Sequence, residues 1–166
     1  MRDYQELALS AEQLNIRGDY RAVVELLEPY VGNINNKNTS FFNELGIAYG
    51  KIGSQLQDVA FWYKAYDCHK KAYDLDSNEP IYMFNLAIAA TWIEHYEEAQ
   101  ELTAKYLESG HRKERKLAKD LLKKEGQIKE KVEELSNALA GEEEGERIPF
   151  IAKEILNQLQ NEVIKQ

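Results

Sequence analysis

The chain has 166 residues, 43% of them hydrophobic and 30% charged, with a net charge of −8. That length suits one domain, and that balance marks a globular rather than a disordered chain. No apolar run approaches the roughly 20 residues of a membrane-spanning helix, and the single cysteine, Cys68, excludes an internal disulfide framework.

In chain order, "MRDYQELALSAEQ" is acidic and amphipathic, without the apolar core or small-residue cleavage site of a secretory leader, so a cytoplasmic location is expected. Leu7, Ala11 and Leu14 mark a first helix, "RGDY" a turn, and Ala22, Val23, Leu26 and Leu27 a second helix that Pro29 should end or kink. After the polar joint "GNINNKN", Phe42, Leu45, Gly46 and Tyr49 mark a third helix. Ala65, Cys68, His69 and Ala72 lie on a fourth, read as the single long helix "SQLQDVAFWYKAYDCHKKAYDL" capped by Ser54 or Asp58. Following "LDSNEP", Met83, Leu86, Ala87 and Ala90 mark a fifth helix, and Tyr96, Ala99, Thr103 and Tyr106 a sixth. Spacings of three and four throughout are those of a buried helical face. Beyond residue 110, "HRKERKLAKDLLKKEGQIKEK" carries nine basic and four acidic residues, "GEEEGE" reads as an acidic loop, and 148–164 form an amphipathic helix with Ile151, Ile155, Leu159 and Val163 on one stripe.

The helices come as pairs in a repeat. Ser10-Ala11, Leu45-Gly46 and Leu86-Ala87 hold equivalent places, 35 and then 41 residues apart. Small residues at Ala11, Gly46 and Ala87 suit the point where two helices of a hairpin cross closely, with Ala65 and Ala99 facing them from the second helix. A glycine inside a helix costs about 1 kcal/mol relative to alanine, so Gly46 is the informative member. The longer interval adds seven residues, about two helical turns, which preserves the apolar face. The expectation is that both turns lengthen the start of the fourth helix.

The pattern resembles the tetratricopeptide repeat family, whose period is about 34 residues. The matching residues are Phe42, Leu45, Gly46, Tyr49, Ala65 and Ala72 in the middle unit, Leu86, Ala87, Tyr96, Ala99 and Tyr106 in the third, and Ala11, Gly18, Tyr20 and Val23 in the first. The family's proline at the end of the second helix is absent; Asn35, Ser77 and His111 stand there, and Val23 replaces an alanine. The resemblance implies an all-α fold, an α-α superhelix or TPR-like solenoid of three helical hairpins (about 4–36, 39–78 and 80–110) within a domain 1–110, followed by a C-terminal helical extension and capping helix over 111–166.

The same resemblance implies a concave groove lined by the first helix of each pair, here Ala8, Glu12, Asn15, Asn43, Ile47, Lys51, Ile81, Phe84, Ile88 and Trp92. The family's lysine–asparagine clamp for a chaperone's carboxylate tail is not met, because Ala8 and Glu12 stand in two of its positions. Phe84, Ile88 and Trp92 instead offer an apolar strip for a peptide or amphipathic helix of a partner. Among Phe61, Trp62, Tyr63 and Tyr66, some side chains must point away from the core, which makes Phe61 and Trp62 a second candidate contact. Asn43, Ile47, Lys51, Phe84, Ile88, Trp92, Phe61 and Trp62 are therefore the candidate partner-binding residues.

No constellation points to catalysis or to a cofactor. His69, His95 and His111 share no ligand spacing with one another or with Cys68, and the glycines do not form a phosphate-cradling loop. The reading is a non-catalytic adaptor, scaffold or co-chaperone-like module whose partner is another protein or peptide, a second copy of the chain included. The alternative is anion or nucleic-acid binding through the basic stretch 112–131, with Lys113, Arg115, Lys116, Lys123 and Lys124 as contacts. The net charge and the lack of interleaved aromatics weigh against nucleic acid. The stripe on 148–164 should be docked rather than left in water, with Phe150 and Ile155 buried.

Overall fold

The computed structural model describes residues 3–33 and 35–109, together with 116, 118–124, 126, 127 and 130. Among them every regular element is a helix. The chain divides between Arg115 and Lys116 into two compact units, and the six α-helices lie in the first.

Local chemistry sets each boundary. Helix α1 (Tyr4–Arg17) starts where the Asp3 carboxylate accepts from the Gln5 N–H at 2.8 Å. It ends at Gly18, whose φ of 81° is free of penalty for glycine and turns the chain into α2 (Tyr20–Leu27). Pro29 then acts as expected: α2 stops at Leu27 and a 3-10 turn, Glu28–Tyr30, follows. Asn38 caps α3 (Thr39–Leu56) by accepting from the Phe41 N–H at 2.8 Å. Asp58 caps α4 (Val59–Leu75) through the Ala60 N–H at 2.9 Å. Pro80 occupies the first position of α5 (Pro80–Trp92), where its missing N–H costs nothing. Helix α6 (Tyr96–Glu108) closes the set.

Each helix packs on the next, and α1 also packs on α3 and α3 on α5, so the first helices of the three pairs adjoin. The chain reverses between partners at Gly18, Gln57 and Glu94, and all three residues are left-handed, with φ of 81°, 54° and 67°. The same backbone bend recurs in each pair, although only the first carries the residue suited to it. The core follows the predicted stripes: Ala11, Val23, Leu27, Leu45, Ala65 and Leu86 are all fully buried.

Two expectations change. The seven extra residues do not all lengthen the fourth helix. Helix α3 has 18 residues against 14 in α1 and 13 in α5, and α4 has 17 against 13 in α6. Each middle helix gains about one turn. The reason lies at Gly53, which lets the Trp62 indole press against the extended end of α3; a Cβ there would stand 2.5 Å from Trp62 Cδ1. Ser54 consequently sits inside α3, its hydroxyl donating to the Gly50 carbonyl at 2.9 Å, and is not a cap.

The second change concerns what faces Gly46. Closest to it is the imidazole of His69, one turn further along α4 than Ala65; a Cβ at 46 would lie 2.7 Å from His69 Cε1. Gly50 plays the same part for the Trp92 ring of α5. Gly46, Gly50 and Gly53 thus admit three flat rings, two from α4 and one from α5, against the backbone of α3. The expected burial of Phe150 and Ile155, the docking of 148–164 and the loop "GEEEGE" lie outside the described residues.

Candidate functional site

The surface between α3 and α5 is built from two matched lines. On α3, Asn43, Ile47 and Lys51 recur every four residues; on α5, Asn85, Ile88 and Trp92 recur at three and four. The lines are pinned at both ends. At one end the Asn85 side-chain amide donates to Asn43 Oδ1 at 2.8 Å. At the other, the Trp92 ring rests on Gly50, beside Lys51. Ile47, Ile88 and Trp92 are half-buried and Lys51 is exposed.

The polar end continues onto α1. Asn15 Nδ2 donates to the Glu44 carbonyl at 2.9 Å and to Glu44 Oε2 at 2.8 Å, while Asn43 Nδ2 donates to Glu44 Oε1 at 3.3 Å. Side-chain amides therefore join the three first helices through one carboxylate. Burial raises the Glu44 pKa above the ordinary carboxylate value, and the two amide hydrogen bonds oppose that shift without cancelling it. Asn15 Oδ1 is buried with no hydrogen-bond partner among the described residues.

The candidate residues do not form one surface. Phe84 is buried, 2% exposed, with its ring stacked on Tyr106 at 4.8 Å, so it belongs to the α5–α6 core and not to an accessible strip. Asn43 is also buried, and its amide serves the contacts between helices already described. In the second candidate, Trp62 is buried against Gly53 and its Nε1–H has no partner among the described residues. Phe61 is half-buried against Tyr49, with ring centres 6.1 Å apart. The aromatic that points outward from this run is Tyr63, 50% exposed, while the Tyr66 hydroxyl donates to Glu98 of α6 at 2.8 Å. The accessible members of the set on α3 and α5 are Ile47, Lys51, Ile88 and Trp92.

One polar cluster carried no sequence signal. Tyr49 donates its hydroxyl hydrogen to Glu28 Oε1 at 2.6 Å, and Lys64 Nζ reaches the same oxygen at 2.8 Å. The Lys64 ammonium also lies over the Tyr49 and Phe61 rings, 5.1 and 5.8 Å from their centres. These bonds hold the Lys64 side of Glu28 negative, keeping its carboxyl below the usual range, and burial with Glu28 pushes the Tyr49 hydroxyl well above its own. The cluster ties the first pair of helices to the second across residues 21 and 36 apart in sequence. Such long-range side-chain pairing has no periodicity to reveal it.

Burial pushes the Cys68 thiol up to about 12, so it is a packing residue and not a thiolate nucleophile at neutral pH. Among the described residues no group of histidine, cysteine or carboxylate side chains could hold a metal ion, and no helix is long and apolar enough to cross a membrane. Of the basic stretch 112–131, Lys116, Lys119 and Lys123 are exposed, and most of the remainder lies outside the described residues. Compared with protein-family models and with curated proteins, the chain gives no match.

Proposed function

We propose that this chain is a non-catalytic protein-interaction module of the tetratricopeptide type, an adaptor or scaffold that holds a peptide or helix of a partner protein along its first helices. The observation that supports the reading is the pair of pinned lines on α3 and α5. Two helices fixed in register by Asn43–Asn85 and Gly50–Trp92 leave Ile47, Ile88, Trp92 and Lys51 partly open between those pins. Half-buried aliphatic and aromatic groups on a rigid helical support lose little side-chain entropy when a ligand covers them. A charged group beside them gives orientation. Residues in this arrangement suit an apolar side chain of a bound segment better than any step of bond chemistry.

The test is selection from a displayed random-peptide library on the full chain, followed by titration of the enriched peptides. Ile88→Glu and Trp92→Ala should weaken binding at least tenfold. Asp67→Lys, exposed on α4, should leave it within about twofold. Enriched peptides that bind Ile88→Glu as well as the wild-type chain would remove the site; no enrichment at all would remove the reading.

A further inference from the structure

Helix α1 presents apolar side chains on two opposite faces. One face carries Leu7, Ala8, Ala11 and Leu14, and it packs on α2 and α3, with Ala8 and Ala11 buried. The other carries Leu9, 49% exposed, and Ile16, 79% exposed. These two are seven residues apart, so they fall on one stripe about 10 Å long and about 150° around the helix from Ala11. Ile16 is the most exposed large apolar residue described.

The charges beside the stripe say what it accommodates. Glu6 in the first turn and Arg17 in the last lie along the same flank of the stripe, at opposite ends. Both are exposed, and neither forms an ion pair among the described residues. We infer that α1 pairs with α1 of a second copy of this chain, antiparallel about a two-fold axis. In that arrangement Leu9 of one copy lies over Ile16 of the other, and Ile16 over Leu9. Residues on one flank meet the same flank of the second copy, so Glu6 faces Arg17 twice, once at each end. Gln13 meets its equivalent near the axis. A parallel pairing would instead set each flank against the opposite flank of the second copy and leave Glu6 and Arg17 at opposite ends, out of each other's reach. The helix is thus self-complementary in one direction only, which is the requirement of an isologous interface.

Two apolar side chains per copy form a small contact. The dimer belongs to the weak class, with a dissociation constant on the order of hundreds of micromolar. Glu12 sits on the opposite flank, where it meets Glu12 of the second copy, and this opposing charge weakens the pair further.

Sedimentation velocity of the full chain from about 20 µM to 1 mM tests the inference. The wild-type chain should shift from monomer toward dimer across that range, and Ile16→Glu should weaken association at least tenfold. Glu6→Arg alone and Arg17→Glu alone should each weaken it several-fold, while the double variant Glu6→Arg/Arg17→Glu should recover it. Glu12→Gln should tighten it. Far-ultraviolet circular dichroism verifies that each variant keeps its helix content. Monomer throughout, or association unchanged by Ile16→Glu, overturns the inference. Failure of the double charge reversal to recover what each single reversal loses overturns the antiparallel geometry.

Discussion

His69 makes the stability of the array depend on pH in a way that can be isolated. Its ring is 3% exposed, lies against Gly46, and leaves Nδ1 without a hydrogen-bond partner among the described residues. Burial drives its pKa from 6.5 down to about 4, because the buried site disfavours the charged ring. In the unfolded chain the histidine takes up a proton near pH 6.5; in the folded chain it does so only near pH 4. Between those values the unfolded state binds more protons, so stability falls as pH falls from 6.5 toward 4. The full gap corresponds to about 3 kcal/mol, of which about 2 kcal/mol is lost by pH 5. Glu44 works in the opposite direction: its raised pKa lets the folded state take up a proton before the unfolded state does, which adds stability as pH falls toward the ordinary carboxylate value. A comparison with His69→Phe removes the imidazole and keeps a flat ring above Gly46, while Glu44, His95 and His111 remain in both proteins. Urea unfolding followed by circular dichroism at pH 7.5 and pH 5.0 gives four free energies. The wild-type chain should lose about 2 kcal/mol more than His69→Phe between the two pH values, whatever the variant's own stability at pH 7.5. Equal losses in the two proteins would refute the argument that the buried neutral ring carries the dependence.

The close approach at Gly46 predicts that Gly46→Ala destabilises the chain by about 1–3 kcal/mol, since the new methyl would meet the His69 ring. In Gly46→Ala/His69→Ala the cost of the alanine at 46 should largely vanish, and a double-mutant cycle from urea unfolding reads the coupling. At the last hairpin, Glu94 holds a φ of 67° that glycine adopts without strain, so Glu94→Gly should raise stability by about 0.5–1 kcal/mol in the same assay, where an ordinary surface change to glycine would lower it.

The helices and their buried faces were legible because they follow helical periodicity, and the particulars that were not legible share a physical cause. Stripes at three and four residues place Ala11, Leu45, Ala65, Leu86 and Ala99 in the core because a helix can bury only one such face, and all five are fully buried. Pro29 could be read directly, and Asp58 stood with Ser54 as one of two cap candidates, since a missing donor and a short polar side chain act within one turn of where they stand. What the pattern does not encode is which large side chain meets which small one. Gly46 signalled a close approach, yet that the group closest to it is the His69 ring depends on how far α4 slides along α3, and a helical stripe leaves that shift open by a turn. Shifts of the same kind, of α4 on α3 and of α6 on α5, decide that Trp62 is spent on Gly53 and Phe84 on Tyr106, which withdraws two aromatics from the candidate surface. That of α5 on α3 decides that Asn43 meets Asn85 and Trp92 meets Gly50, which fixes the lines holding Ile47, Lys51 and Ile88. Periodicity names the faces; the glycines of α3, by admitting rings at three levels, set the register that turns those faces into a surface.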